Sequence, residues 1–400
     1  MMFNNTKFYI ILFAITSLLY SCDKFEPKAP NEEDLLDGPI EGLTYAENAR
    51  FLAGDIAFND QVFTVSTGLG PLFNANSCVS CHAGDGKGTP FTALIRFGQT
   101  DSTGNKFLDQ GGPQLQTKAI PGYEPETLPE GATYTKLVPT AVTGLGYLQY
   151  VTDEDIIAMS DPDDLDNNGI RGVPNWKELE DYLTPSEGAI ERNGKYIHRF
   201  GKKASVYNLL SQTVTAYNED MGITSIFNPI DTYSGLTIEP EVSATTIRNQ
   251  VAYLETLKAP IQRNQDDEQV IKGKAIFQRI DCAVCHKPEL KTGYAPIEAL
   301  SHKTFHPYTD LLLHDMGPEL DDGYTEGSAK TSEWRTAPLW GLGLSPDSQG
   351  GVYYLMHDGR ARSIEEAILM HGGEAENSKM QYRELTQSEK DDLLKFLESL

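Results

Sequence analysis

The chain has 400 residues and a formal net charge of −25, from 58 acidic against 33 basic side chains, with 39% hydrophobic and 10% aromatic residues. It is too long for one ordinary core and fits two domains plus insertions, and its apolar content excludes both a disordered chain and an integral membrane protein. The acidity repels nucleic acid and anionic lipid; it suits a basic protein partner, and equally serves solubility or a salty habitat.

At the N-terminus, Lys7 precedes an apolar run from Phe8 to Tyr20. The run is too short for a spanning helix and right for the apolar region of a signal peptide. It ends in Leu19-Tyr20-Ser21-Cys22, which resembles the lipobox of bacterial lipoproteins. That resemblance implies removal of residues 1–21, acylation of Cys22, and a lipid-anchored protein of the cell envelope facing the periplasm or the cell surface. The other reading is a plain secretory signal that contains a cysteine. Residues 22–44 are acidic and Pro-rich and read as a tether.

The remaining four cysteines form C-V-S-C-H at Cys78, Cys81 and His82, and C-A-V-C-H at Cys282, Cys285 and His286. C-x-x-C-H is the attachment signature of c-type haem, in which two thiols reach the haem vinyls and the His ligates iron. Chance supplies about 0.001 such motifs in a chain of this composition. A four-Cys zinc site or a pair of redox disulfides competes, but neither needs a His after each second cysteine. Two covalently bound c-type haems are therefore expected, with His82 and His286 as proximal ligands.

The element order predicts two units. Gly273 to Phe277 looks like the first helix of a class I cytochrome c, with a Gly and an aromatic four residues apart on one face. Thr386-Gln387-Ser388-Glu389 is a capping box, and Leu393, Phe396, Leu397 and Leu400 follow at helical spacing. Tyr253-Leu254-Glu255-Thr256-Leu257 matches Phe396-Leu397-Glu398-Ser399-Leu400, so each haem motif is followed by a similar closing segment. The expected fold is mostly α: two cytochrome c-like domains at 45–260 and 261–400, the first with a long irregular insertion.

Further motifs carry a family resemblance. Trp334-Arg335-Thr336-Ala337-Pro338-Leu339 and Met356-His357-Asp358-Gly359 resemble elements of bacterial di-haem cytochrome c peroxidases and MauG-like proteins. Gly68 to Asn74, Asp220 to Thr224, Asp310 to Gly317 and His357 to Ala375 are similar to the di-haem oxidoreductase family often labelled "thiol oxidoreductase", across roughly Phe51 to Leu400. The label sits badly with four domain cysteines already committed to haem. The resemblance implies an oxidoreductase, peroxidase-like, whose first haem reacts with substrate while the second feeds it electrons. A redox protein, donor or acceptor, is the implied partner. A pure electron carrier of the envelope is the competing reading.

The sixth ligands divide the two haems. Ser363-Ile364-Glu365-Glu366 is a capping box, Gly372-Gly373 stops the helix, and His371 shares a face with Ile364, Ala367 and Ile368. This makes His371 the candidate axial ligand of the second haem, with Met370 the alternative; the resemblance puts a Met at the position of His371, so a bis-His, lower-potential haem is implied. His314, by resemblance, lies near the haem interface without ligating. For the first haem, His198 is a candidate, alongside an open or Tyr-ligated iron. Finally, Asp164, Asp166 and Asn168 fit the start of a calcium loop, but Asn175 replaces its terminal Glu, and an ordinary Asx-rich turn fits as well.

Overall fold

The computed structural model describes residues 31–400, so the apolar run and Cys22 lie outside the described residues. Residues 31–35 belong to one unit and contribute a short 3-10 turn, Glu32–Asp34. Residues 36–400 form the other unit. It contains eleven α-helices among the described residues: α1 (Tyr45–Asp55), α2 (Leu145–Gln149), α3 (Asp153–Met159), α4 (Leu209–Thr215), α5 (Ala244–Thr256), α6 (Glu268–Arg279), α7 (Cys282–Cys285), α8 (Ser345–Ser348), α9 (Ile364–Met370), α10 (Glu376–Glu384) and α11 (Gln387–Ser399).

Two helix pairs, α1 with α5 and α6 with α11, repeat one packing solution. A Gly-x-x-x-Phe motif marks the first helix of each pair: Gly54 in α1 with Phe58 in the π-helical turn Ile56–Asp60 that continues it, and Gly273 with Phe277 within α6. A β-carbon on Gly54 would collide with the Asn249 carbonyl and come within 2.6 Å of the Tyr253 β-carbon. On Gly273 it would collide with the Asp392 carbonyl and come within 2.6 Å of the Phe396 β-carbon. Only glycine lets the backbones approach this closely. The aromatic one turn later then meets the partner helix: Phe58 on Tyr253 and Phe277 on Phe396, both with ring centroids 5.4 Å apart. The repeat extends to Gly146 and Gly343, which lie against the carbonyls of Glu255 and Glu398 at matching places on the closing helices.

Local chemistry starts these helices. Thr44 and Glu47 form a complete capping box on α1, and Thr386 and Glu389 do so on α11. At α9 the box is only half made. Ser363 Oγ accepts from the Glu366 N–H at 3.0 Å, but the Glu366 carboxylate turns to the Arg362 N–H at 2.6 Å.

Each pair anchors a hydrophobic cluster. The first gathers Phe51, Phe58, Tyr253, Leu254 and Leu257; the second gathers Ile276, Phe277, Tyr308, Phe396, Leu397 and Leu400. The described residues also form five two-stranded antiparallel sheets: β1 (Leu72–Phe73) with β3 (Lys118–Ala119), β2 (Leu94–Phe97) with β4 (Tyr134–Leu137), β5 (Asn175–Lys177) with β6 (Tyr196–His198), β7 (Leu290–Lys291) with β8 (Thr304–Phe305), and β9 (Leu313–Asp315) with β10 (Glu333–Arg335). Trp334 is in register with His314.

The expectation of a mostly α chain holds for its longer elements only, because turns, short ribbons and irregular segments take most of the described residues. With 35 Gly and 22 Pro in the chain, much of the region after the first motif settles into turns and short ribbons instead. The expected boundary at Ala259-Pro260 falls in the extended stretch between α5 and α6. No helix of the described residues is long and apolar enough to cross a membrane.

Candidate functional site

The first motif is a single tight turn: the N–H groups of Cys81 and His82 both donate to the Cys78 carbonyl at 3.0 Å. His82 Nδ1 lies 2.9 Å from the Thr140 carbonyl. A carbonyl only accepts, so Nδ1 carries the proton and the Nε2 lone pair is left for a metal. Burial pulls the His82 pKa down to about 4, which keeps the ring neutral at physiological pH. Phe58 holds it from the side at 5.9 Å between centroids.

The thiols are protonated rather than activated. Burial pushes Cys78 up to about 12 and Cys81 up to about 11. Thiolate-based redox chemistry needs the opposite shift. Gln250 Nε2 donates to Cys78 Sγ at 3.0 Å, while Gln250 Oε1 and the nearby Tyr217 hydroxyl are buried with no hydrogen-bond partner among the described residues. Asp220, from the Asp220–Thr224 element, acts electrostatically on both cysteines. Burial raises its carboxyl to about 7, and Gln114 Nε2 donates to it at 2.7 Å.

The second motif repeats the arrangement. The His286 N–H donates to the Cys282 carbonyl at 3.0 Å, and His286 Nδ1 lies 2.9 Å from the Tyr308 carbonyl. Burial again lowers the ring to about 4, and Phe277 lies 6.4 Å away. In both motifs the accepting carbonyl belongs to the residue after a proline, Pro139-Thr140 and Pro307-Tyr308. Neutral imidazoles with a fixed Nε2, each following two cysteines on one turn and flanked by an aromatic ring, fit two haem groups.

Around the second motif a further imidazole is close. His371 acts electrostatically on His286. It is not the last residue of the helical stripe, since α9 stops at Met370 and His371 is its C-cap in extended conformation. Its ring folds back so that Nδ1 meets the Ala367 carbonyl at 2.7 Å, again leaving Nε2 unprotonated. Burial lowers its pKa too. Helical spacing sets Met370 off the stripe of Ile364, Ala367 and Ile368, yet it too packs against the second hydrophobic cluster.

His314 is buried between two carboxylates, with Nε2 2.9 Å from Asp310 and Nδ1 2.7 Å from Glu374, and it lies 3.6 Å from Cys285 Sγ. Glu374 also accepts from the N–H groups of Arg171 at 3.0 Å and Asp315 at 3.3 Å. With both ring nitrogens occupied, His314 is unavailable as an iron ligand in this arrangement.

His198 lies on β6 with Nδ1 3.1 Å from the Tyr196 carbonyl and its ring 5.5 Å from Tyr207. Its charged neighbours are Lys177, Glu180 and Arg199, and none comes from the first motif. In the Asx-rich loop, oxygens of Asp161, Asp164 and Asp166 approach within 4.8 Å of one another. Asn168 Oδ1 instead accepts from the Ile170 N–H at 2.7 Å, and Asn175 is buried in β5, donating to the Lys203 carbonyl at 2.8 Å. The structure thus brings Asp161 to the loop's acidic group in place of Asn168.

The sequence motifs named the thiols and imidazoles but missed Phe58, Gln250 and the carbonyls that set the imidazole tautomers. The Pro before each carbonyl and the duplicated Gly-x-x-x-Phe were the available signals.

The family model described as "Di-haem oxidoreductase, putative peroxidase" matches residues 132–400, beginning after the first motif and including the second. No curated protein matches the chain. Among solved structures, the hydrazine synthase of Kuenenia stuttgartiensis, studied under xenon pressure, is 14% identical with a TM-score of 0.38, over 94% of this chain and 98% of that one. A MauG-like protein associated with microbial copper homeostasis is 16% identical with a TM-score of 0.33, over 65% of this chain and 89% of that one. On the family match, which spans more than half of its length, the chain belongs to the di-haem oxidoreductases.

Proposed function

We propose that the chain is an exported c-type cytochrome in which a C-terminal haem passes electrons to a reactive N-terminal haem. Cys78 and Cys81 would hold the first haem by thioethers and His82 would ligate its iron through Nε2. Cys282, Cys285 and His286 would do the same for the second. Bound haem supplies one-electron chemistry and a site at which peroxide or another small oxidant is reduced.

The observation that carries this reading is an asymmetry. His371 places a second neutral imidazole beside His286, whereas no second imidazole acts on His82 in the same way among the described residues. Two imidazoles would saturate one iron, and a single imidazole would leave the other able to take a ligand. Beside the first motif, Asp220 can hold or release a proton near neutrality, and Gln114 orients its carboxyl.

The half-reduced protein tests this. The first haem should bind cyanide and turn over hydrogen peroxide while the second keeps a low-spin spectrum. Asp220→Asn should slow peroxide turnover about 10²-fold or more and leave cyanide affinity nearly unchanged. If both haems stay low-spin in every redox state and bind neither ligand, the chain is an electron carrier and the catalytic reading fails.

The acylated Cys22 would tether the protein to a membrane, and the acidic surface would meet a basic redox partner. Cys22→Ser should shift the protein from the membrane fraction to the soluble or unprocessed fraction. An unchanged distribution on fractionation would remove the lipoprotein assignment.

A further inference from the structure

Three cations converge between the two motifs without a carboxylate free to pair with them among the described residues. Lys87 lies five residues beyond His82, Lys202 follows β6, and Arg335 ends β10. The Arg335 N–H donates to the Lys202 carbonyl at 2.9 Å and its Nε to the Gly201 carbonyl at 2.8 Å, which fixes the guanidinium beside Lys202. Lys202 feels both Lys87 and Arg335 electrostatically. Neither ammonium has a hydrogen-bond or ion-pair partner among the described residues.

The two carboxylates within electrostatic reach are already engaged. Asp358 accepts from Arg360 Nε at 2.7 Å, and Asp310 accepts from His314 Nε2 at 2.9 Å and from the Leu312 N–H at 3.0 Å. Burial lowers Lys87 to about 8 and Arg335 to about 10; burial and the repulsion of Lys87 and Arg335 lower Lys202 to about 7. Unmatched cations in such surroundings destabilise a fold unless an anion joins them. The cluster reaches both motifs, because Lys87 lies five residues beyond His82 and Arg335 lies beside Asp310, which in turn acts on His286.

We propose that Lys87, Lys202 and Arg335 form one carboxylate-binding cluster that receives the propionates of the two haems. This rests on the reading that both motifs carry haem. A haem presents two carboxylates on one edge, and the guanidinium and the two ammonium groups supply the donors such an edge requires. The same donors would also bind a free carboxylate, and the two sources give different results.

The test uses purified holoprotein, wild type against Lys202→Met, with Lys202→Arg as the charge-conserving control. Covalent haem content is measured first. Fewer than two haems per chain in the wild type defeats the underlying reading whatever the variants do. With two haems loaded, Lys202→Met should lower the midpoint potential of at least one haem, because losing a nearby positive charge favours the ferric state. It should also shift the propionate bending bands in resonance Raman. Lys202→Arg should stay close to wild type, and added sodium acetate should leave the wild-type potentials unmoved. Identical potentials and bands in wild type and Lys202→Met overturn the proposal. A saturable acetate effect on the wild-type potentials, abolished by Lys202→Met with the propionate bands unchanged, also overturns it and assigns the cluster to a free carboxylate. Should Lys202→Met fail to load haem, Lys87→Met carries the same comparison with the same readings.

Discussion

The two motif regions share a frame and differ in what surrounds it. In each, a glycine lets two helices touch, a phenylalanine one turn later braces the motif histidine, and a carbonyl after a proline fixes that histidine's tautomer. Beyond the frame they diverge. The C-terminal region adds His371 beside His286 and sets the buried His314 between Asp310 and Glu374. The N-terminal region adds a protonatable Asp220 and polar side chains near Cys78, two of whose atoms lack partners. The frame positions a neutral imidazole in each region; the surroundings then add a second imidazole on one side and a protonatable carboxyl on the other.

The frame itself is the most sensitive point of the comparison. Gly273→Val and Gly54→Val each drive side-chain atoms into a backbone carbonyl that cannot retreat unless the helices part. Overpacking of this kind costs about 1–3 kcal/mol, and the helix separation would move the motif histidine as well. Gly273→Val should therefore deplete the second haem and Gly54→Val the first, each with a lowered unfolding temperature. Haem content per chain, resolved by the two haems' spectra, checks it. Full loading of both haems in either variant would mean that the close crossing does not position the motif.

The legibility of these two regions from sequence was uneven. Cys78, Cys81, His82 and their C-terminal counterparts are contiguous, and so are Thr386–Glu389 and the periodic residues after it, so local pattern sufficed. Asp310, His314 and Glu374 stood in quoted motifs, but their buried contact joins a strand to a distant loop and leaves no spacing to read. His371 was reached by helical periodicity although it sits one residue past the helix, because its ring folds back onto Ala367. Periodicity sets Met370 off the apolar stripe, yet Met370 packs on the second cluster together with Ala367 and Ile368. The insertion was opaque. Its short ribbons are fixed by long-range ion pairs such as Arg96 with Glu219 and Glu326, which no local window contains.

His371→Met sharpens the comparison without breaking the frame. A thioether favours ferrous iron more than an imidazole does, so one midpoint should rise, within the roughly 0.8 V that axial ligation commands. The other haem should scarcely move, because His371 is felt at His286 and no such effect is found at His82. Redox titration followed optically separates the two. Two unchanged midpoints with an unchanged low-spin signal would detach His371 from the second iron and leave Met370 as the ligand to test.

The smallest expected difference lies in how the two regions respond to pH. Burial alone would lower the His314 pKa, but Asp310 and Glu374 hold it well above its ordinary 6.5. Burial alone would raise Glu374, but the hydrogen bond and charge of His314 hold it below its ordinary 4.5. A raised histidine contributes stability that is full below 6.5 and is lost as pH climbs through the folded value. A lowered carboxylate contributes stability that is full above 4.5 and is lost as pH falls through its folded value. The pair therefore stabilises the C-terminal region most between about 4.5 and 6.5 and less on either side. The N-terminal region carries the opposite kind of carboxyl. Burial raises Asp85 to about 6 although the Tyr253 hydroxyl donates to it at 2.6 Å, so its contribution falls as pH rises from 3.8 to about 6. Urea unfolding of the holoprotein across pH should show His314→Gln flattening the decline above 6.5 and Asp85→Asn removing the slope below 6. If His314→Gln keeps the wild-type decline above 6.5, His314 is not a buried imidazolium, and the electrostatic contrast between the two regions loses its C-terminal half.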